Sequence, residues 1–213
     1  MNASSQPNST AGQRYLLLAD ISGYTSFLAG VEDAHGVDFS GGIPAGYTVL
    51  GELLNAVIEG VQPEFEVAKL EGDAVFAIAN ADALDGRGDA VVRALQGMYR
   101  AFVKRRFEAR SARDHVCTAC PVVSNLDLKA VLHRGVVVTQ TVGSYRDVVG
   151  PAVNVAHRLL KNTVHARIGF RPYLFVTDVA AAGLGIPAAG LEHHEEYPDV
   201  GAIEGRIVDL VVS

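Results

Sequence analysis

The chain has 213 residues, 49% hydrophobic and 20% charged, with a net charge of −6 and a mean hydropathy of +0.20. That is enough apolar material for one sizeable core, a squeeze for two domains, and it excludes a disordered chain. No apolar run approaches the ~20 residues of a membrane-spanning helix, the acidic balance weighs against a general nucleic-acid binder, and two cysteines make no disulfide scaffold.

The expected setting is therefore a reduced cytoplasm, with neither membrane nor nucleic acid as partner. Residues 1–13 lack the basic and apolar regions of a signal peptide and read as a disordered tail. Residues 14–213 then form one domain. Tyr15 to Asp20 is a short apolar run ending in an acid, which predicts a buried strand. A turn at Ser22 to Thr25 leads into a short helix toward Leu28, and the Gly-rich residues 33–46 read as a loop. Val49, Leu50, Leu53, Leu54, Val57, Ile58 and Val61 mark one face of a helix. Phe65 to Ala79 reads as two strands around Glu71-Gly72-Asp73, a hairpin.

From Asp89 to Arg110 a second amphipathic helix carries Val91, Leu95, Met98, Tyr99, Phe102 and Val103, with a basic C-terminal end. Residues 111–125 read as a loop holding Cys117 and Cys120. Leu126 to Val142 reads as two strands around His133-Arg134-Gly135. A third helix starts near Pro151 and runs to about Lys161. Strands close the chain at 172–177 and 206–212. Helices alternating with hairpins predict an α+β, ferredoxin-like antiparallel sheet with helices on one face.

Three pairs of residues could carry chemistry. Asp20 ends the first strand and Asp73 lies in the first hairpin, so the two carboxylates can lie side by side and form a hard-oxygen site for Mg²⁺ or Mn²⁺. Separately, each is equally ordinary as a helix cap or a turn residue. Asn154 and Arg158 share a helix face, suited to a sugar oxygen and a phosphate, or simply solvated. Lys69 and Asp147 could be a surface ion pair of little energetic weight. Cys117 and Cys120 lack a second pair for a four-ligand zinc site. His115 or a partner's loop could complete one, and an inert reduced loop is the plainer reading. His133 reads as a strand-packing residue, and His193 to Glu196 as a solvated loop.

Four segments together resemble the class III adenylate/guanylate cyclase catalytic domain. Asp20-Ile-Ser-Gly-Tyr-Thr25 resembles its first metal motif, and Lys69-Leu-Glu-Gly-Asp73 its Lys-x-x-Gly-Asp hairpin. Leu132-His-Arg-Gly-Val136 is similar to its His-x-Gly segment. Asp147 to Leu159 resembles its Asp-x-x-Gly-x-x-Val-Asn-x-Ala-x-Arg-Leu pattern. The order and internal spacing are kept, over roughly residues 14 to 212, and the chain looks closest to a bacterial stand-alone cyclase-homology subgroup.

The resemblance implies a cyclase fold and a homodimer with shared sites. It implies conversion of ATP to cyclic AMP and pyrophosphate, with attack of the ribose 3′-oxygen on the α-phosphorus. Two divalent cations, Mg²⁺ or Mn²⁺, would be held by Asp20, Asp73 and the Ile21 carbonyl. Asn154 would orient the ribose, and Arg158 would neutralise charge in the transition state. Lys69 and Asp147 would select the base: adenine N1 accepts from a lysine, and its amino group donates to a carboxylate. The alternatives are a cyclase for GTP or a pyrimidine triphosphate, and a catalytically silent nucleotide-binding or interaction module. One departure favours the last. Val200 stands where the family places a triphosphate-binding lysine, leaving Arg206, Arg146 and Lys161 as candidates to compensate. The insertion from His35 to Gly46 is longer than usual and could cover the site.

Overall fold

The computed structural model of the protein describes residues 9–35, 40, 42–43, 45–111, 120–187 and 190–211. The first strand, β1 (Thr10–Ser22), is followed by α1 (Tyr24–His35), α2 (Ala45–Val61) and the hairpin β2 (Glu66–Glu71) and β3 (Ala74–Asn80). A short α3 (Ala81–Leu84), the long α4 (Gly88–Ser111) and a 3-10 turn (Cys120–Asn125) lead to β4 (Asp127–Val142) and β5 (Tyr145–Val149). The chain closes with α5 (Pro151–Leu159), α6 (Val164–Ile168), β6 (Tyr173–Thr177), α7 (Asp178–Leu184), β7 (Leu191–Tyr197) and β8 (Gly201–Val208).

The strands form one sheet in the order β2-β3-β1-β4-β6-β8-β7, with β5 added along β4. The expected α+β, ferredoxin-like sheet is present, with two differences. The β4–β6 pair is parallel, because α5 crosses between those strands. Helices also cover both faces of the sheet. Tyr15, Leu17, Ala19 and Ile21 of β1 pack with α1, α2, α4 and α7, while Leu16 and Leu18 pack with Ala152, Val153 and Ala156 of α5. A strand covered on both sides must be apolar at every position, which explains the unbroken run from Tyr15 to Ala19.

The two long helices form for the expected reason. Val91, Leu95, Met98 and Phe102 of α4 recur at helical spacing and are fully buried, facing Val49, Leu53, Val57 and Val61 of α2. Truncating one such side chain to alanine costs about 2–5 kcal/mol. Among the described residues, no helix is long and apolar enough to cross a membrane.

Several expected boundaries move. The tail gives way to strand at Thr10 rather than after residue 13, because residues 10–13 pair with β4 from Thr139 to Val136. Leu126 to Val142 is not two strands but one, β4. Gly135 sits mid-strand as a contact point: a Cβ there would lie 2.6 Å from that of Ala152, so its absence lets α5 approach the sheet. The turn comes instead at Gly143-Ser144, and it opens β5, which the reading missed. The last strand is β8, at 201–208 rather than 206–212. Residues 193–196 lie in β7 rather than in a solvated loop, and the first helix runs on to His35. Cys117 and His115 lie outside the described residues, as does part of the His35–Gly46 insertion.

His133 is packed within β4, its Nδ1 3.1 Å from the Thr177 hydroxyl. Burial pushes its pKa down to about 4, so the ring stays neutral at physiological pH. That agrees with the strand-packing role.

Candidate active site

Two pockets collect Asp20, Ile21, Asp73, Asn154 and Arg158. The first lies at the end of the sheet where β1 leaves its neighbours. Asp20 is opposite Ala74 of β3 on one side and Lys129 of β4 on the other. The two-residue turn Gly72-Asp73 joins β2 to β3. The Ile21 N–H donates to the Asp73 carbonyl at 3.1 Å, which ties the hairpin tip to β1. Asp20, Ile21, Asp73, Ser22 and Lys129 then line a pocket of about 380 Å³.

Its electrostatics are unbalanced. Burial, and then the nearby charge of Asp20, raise the Asp73 carboxyl above the ordinary aspartate range. The Ser22 Oγ is buried with no hydrogen-bond partner among the described residues. Two crowded carboxylates with further oxygens beside them fit a hard divalent cation, which would relieve the repulsion. Among the described residues no group of three or more His, Cys, Asp or Glu gathers around a point. The available donors are therefore the two carboxylates supplemented by backbone and hydroxyl oxygens.

One cation is already there. The Lys129 ammonium lies 3.0 Å from Asp20 Oδ2, both side chains less than a quarter exposed, and it also donates to the Leu160 carbonyl at 3.2 Å. Sequence reasoning passed over this lysine. The signal was a single cation inside the apolar run Leu128 to Leu132, where only a partner across the strand makes a charge tolerable. His165 lines the same pocket, its pKa lowered first by burial and then by Lys129.

The second pocket, about 540 Å³, lies along α5 and is lined by Asn154, His157, Arg158, Leu160, Lys161 and Asp199. Arg158 donates from Nε to Asp199 Oδ2 at 2.8 Å, and its Nη2 lies 2.6 Å from the same oxygen. Beside this pocket, Lys69 of β2 lies 3.9 Å from Asp147 of β5 and 3.1 Å from Glu71. The His157 ring lies between two acceptors, with Nδ1 2.7 Å from the Val153 carbonyl and Nε2 2.8 Å from the Glu71 carboxylate. Burial would raise the Glu71 carboxyl, but the hydrogen bonds from His157 and Lys69 hold it below the ordinary glutamate range.

Asp20 thus meets Asp73, Lys69 meets Asp147, and Asn154 shares a pocket with Arg158. The two groups line different pockets of the chain. Glu71, His157 and Asp199 were missed; Glu71 and His157 sit inside two of the motifs and Asp199 beside Val200, but only the fold shows which charged residues they face. Of the candidates to replace the missing lysine, Arg206 pairs with Glu192 and Arg146 with Glu66, while Lys161 lines the α5 pocket.

Sheet order, helix placement and the paired motifs together define the class III nucleotide cyclase fold. The guanylyl cyclase Cya2 matches with a TM-score of 0.68 at 14% identity, over 94% of each chain. A bacterial light-regulated adenylyl cyclase matches with a TM-score of 0.62 at 20% identity, over 95% of this chain and 53% of its own. The chain therefore spans about half the length of that enzyme, and at these identities the likeness is one of fold. The family is defined more closely by sequence. Residues 50–167 match the family described as Protein of unknown function (DUF2652), and the chain belongs to it. "Uncharacterized protein Rv2561/Rv2562" of Mycobacterium tuberculosis (strain ATCC 25618 / H37Rv) is 32% identical over 170 residues, 77% of this chain and 74% of that protein.

Proposed function

We propose that the chain is a class III nucleotide cyclase that converts ATP to cyclic AMP and pyrophosphate as a homodimer. The observation that carries the reading is the pairing across distant sequence. Asp20 and Asp73 share one pocket, and Lys69 and Asp147 meet beside the pocket of Asn154 and Arg158. Those are the partnerships the resemblance requires, from motifs up to about 80 residues apart.

Asp20, Asp73 and the Ile21 carbonyl would hold two divalent cations, Mg²⁺ or Mn²⁺. When bound, such ions lower the pKa of a hydroxyl and stabilise charge on phosphates. Asn154 fixes the ribose so that its 3′-oxygen faces the α-phosphorus. The bond from that oxygen to phosphorus forms as the bond to the bridging oxygen of pyrophosphate breaks, and the hydroxyl proton leaves to solvent. Arg158 offsets the charge growing on the α-phosphate. Lys69 donates to adenine N1, and Asp147 accepts from the amino group. The separation of the two pockets in one chain supports a site completed by a second copy, with Asp20 and Asp73 from one protomer and Asn154 and Arg158 from its partner.

The second reading is a catalytically silent nucleotide-binding module. Val200 in place of the lysine, Lys129 on Asp20 and Asp199 on Arg158 all favour it. One experiment decides: incubation with each of the four nucleoside triphosphates and Mn²⁺, with products identified by mass. Cyclic AMP supports the first reading, and another cyclic nucleotide moves the substrate. Nucleotide bound without turnover leaves the silent module.

A further inference from the structure

Asp199 sits at the centre of the three-residue turn Pro198 to Val200 between β7 and β8, closed by the pair Tyr197 and Gly201. Gly201 takes φ +77°, a left-handed conformation that this kind of hairpin needs and glycine accepts without strain. The turn does not hang free over α5. Three residues before its start, Glu195 is buried and accepts from the Thr163 N–H at 2.6 Å and the Thr163 hydroxyl at 2.8 Å. His193 Nε2 lies 2.7 Å from the same carboxylate oxygen. Thr163 follows α5 closely, so the helix that carries Arg158 and the hairpin that carries Asp199 are bolted together underneath. The meeting of Arg158 and Asp199 is thus set by the fold rather than by two wandering side chains.

Charge gives that meeting its meaning. Asn154, His157, Arg158 and Lys161 make the rest of the polar lining cationic or neutral, and Asp199 is the one acid among the described residues that line the pocket. A guanidinium fork donates to a carboxylate oxygen or to a phosphate oxygen in the same way. Asp199 Oδ2, shared by Nε and Nη2 of Arg158, occupies the place that one phosphate oxygen would take. We infer that Asp199 is a built-in competitor for the phosphate of a nucleoside triphosphate, which must displace it from Arg158. This rests on the nucleotide reading above and adds to it the contact that opposes binding.

Both partners are about half exposed, so the plug is weak and removable. A surface pair of this kind corresponds to about two- to fivefold in affinity. The test uses the full chain as wild type, Asp199→Asn, Arg158→Ala and the double variant, each titrated by calorimetry with ATP and with inorganic tripolyphosphate. Asp199→Ala serves as a second variant, since an asparagine amide can still accept from Arg158. Matched thermal melts establish that each protein is folded. Either Asp199 variant is expected to bind both ligands about two- to fivefold more tightly, and the gain is expected to vanish in the Arg158→Ala background. A gain of equal size without Arg158 would reduce Asp199 to a diffuse negative charge and overturn the plug. Equal binding by wild type and both Asp199 variants, weakened by Arg158→Ala, overturns the plug and leaves the nucleotide reading standing. No binding of either ligand by any of the folded proteins removes the nucleotide reading and the plug with it.

Discussion

The pocket at the end of β1 and the pocket along α5 solve the same problem in different ways. Each gathers charge that only a ligand would fully satisfy, and each meanwhile carries a counterion from its own chain. At β1 the counterion is Lys129, on a central strand and less than a quarter exposed. At α5 it is Asp199, on a hairpin turn and about half exposed. A sheltered pair is costly to break, because each partner left alone is a desolvated charge. An exposed pair costs little, because water replaces the lost partner. The first pocket is therefore built into the sheet and the second is loosely stoppered. Substitutions should separate them by size of effect and by kind.

The largest effect belongs to Asp73. Asp73→Ala leaves Asp20 without its carboxylate partner beside Ile21, and activity should fall by about a thousandfold, equivalent to ~4 kcal/mol of transition-state stabilisation. EDTA should do the same to the wild type. Stability should move the other way. The Asp73 carboxyl is raised in the folded protein, so its ionised form opposes folding. That opposition is absent below the unfolded aspartate pKa and grows as pH rises through the folded one. Metal-free Asp73→Asn should therefore melt above the wild type at neutral pH, with the gap closing as the solution is acidified. A variant that unfolds, or that keeps full activity, would remove Asp73 from the site.

Next comes the assignment of the two pockets to different protomers. Asp20→Ala and Arg158→Ala homodimers should each be nearly dead. After subunit exchange about half the dimers are mixed, and each mixed dimer has one site with both defects and one with neither, so about a quarter of wild-type activity per total protein should return. Failure to recover, with exchange shown by tagged subunits, would place both pockets in one chain's site.

The comparison also separates what the sequence made legible from what it hid. β1 was readable because burial on both faces leaves only apolar side chains, and α2 and α4 because their buried positions recur at helical spacing. Asp20, Asp73, Asn154 and Arg158 were readable as candidates that line pockets, because short motifs place them in fixed local frames. Lys129 and Asp199 were not, since their meaning depends on a register or a turn that only the whole sheet defines. The same holds for Glu195, which reads as part of a solvated His-His-Glu-Glu run. On a strand every second residue faces inward, and here the inward ones are His193 and Glu195, the latter satisfied by Thr163 just past the end of α5.

Lys129 gives the third test. Lys129→Met keeps most of the apolar stem of the side chain and removes its charge, leaving Asp20 and Asp73 facing each other uncompensated. The metal-free protein should lose about 1–3 kcal/mol, below the ~3–5 kcal/mol of a fully buried pair because some water reaches this one. Mn²⁺ should then raise the melting temperature of the variant more than that of the wild type, since the ion replaces the lost cation and binds only the folded form. An unchanged response to Mn²⁺ would show that Lys129 and the metal do not share a site.

The smallest effect is expected beside the α5 pocket, at the residues proposed to read the base. Lys69 is 42% exposed and Asp147 44%, with 3.9 Å between their charged atoms. Lys69 is also closer to Glu71, at 3.1 Å, so its ammonium is steered as much by that neighbour as by Asp147. Contacts this wet discriminate weakly, because water can serve whichever edge of the base finds no partner. Adenine N1 accepts where guanine N1 donates, so Lys69→Glu combined with Asp147→Ser reverses the polarity offered to the base. The ratio of kcat/KM for ATP over GTP should fall by about tenfold, or ~1.4 kcal/mol, rather than by the several orders of magnitude that a dry, fully paired site would give. A much larger switch would mean that dimer formation seals this edge from water and makes the α5 side as sheltered as the β1 side. No switch among the four triphosphates would show that Lys69 and Asp147 do not face the base, and would leave them as an ordinary ion pair between β2 and β5.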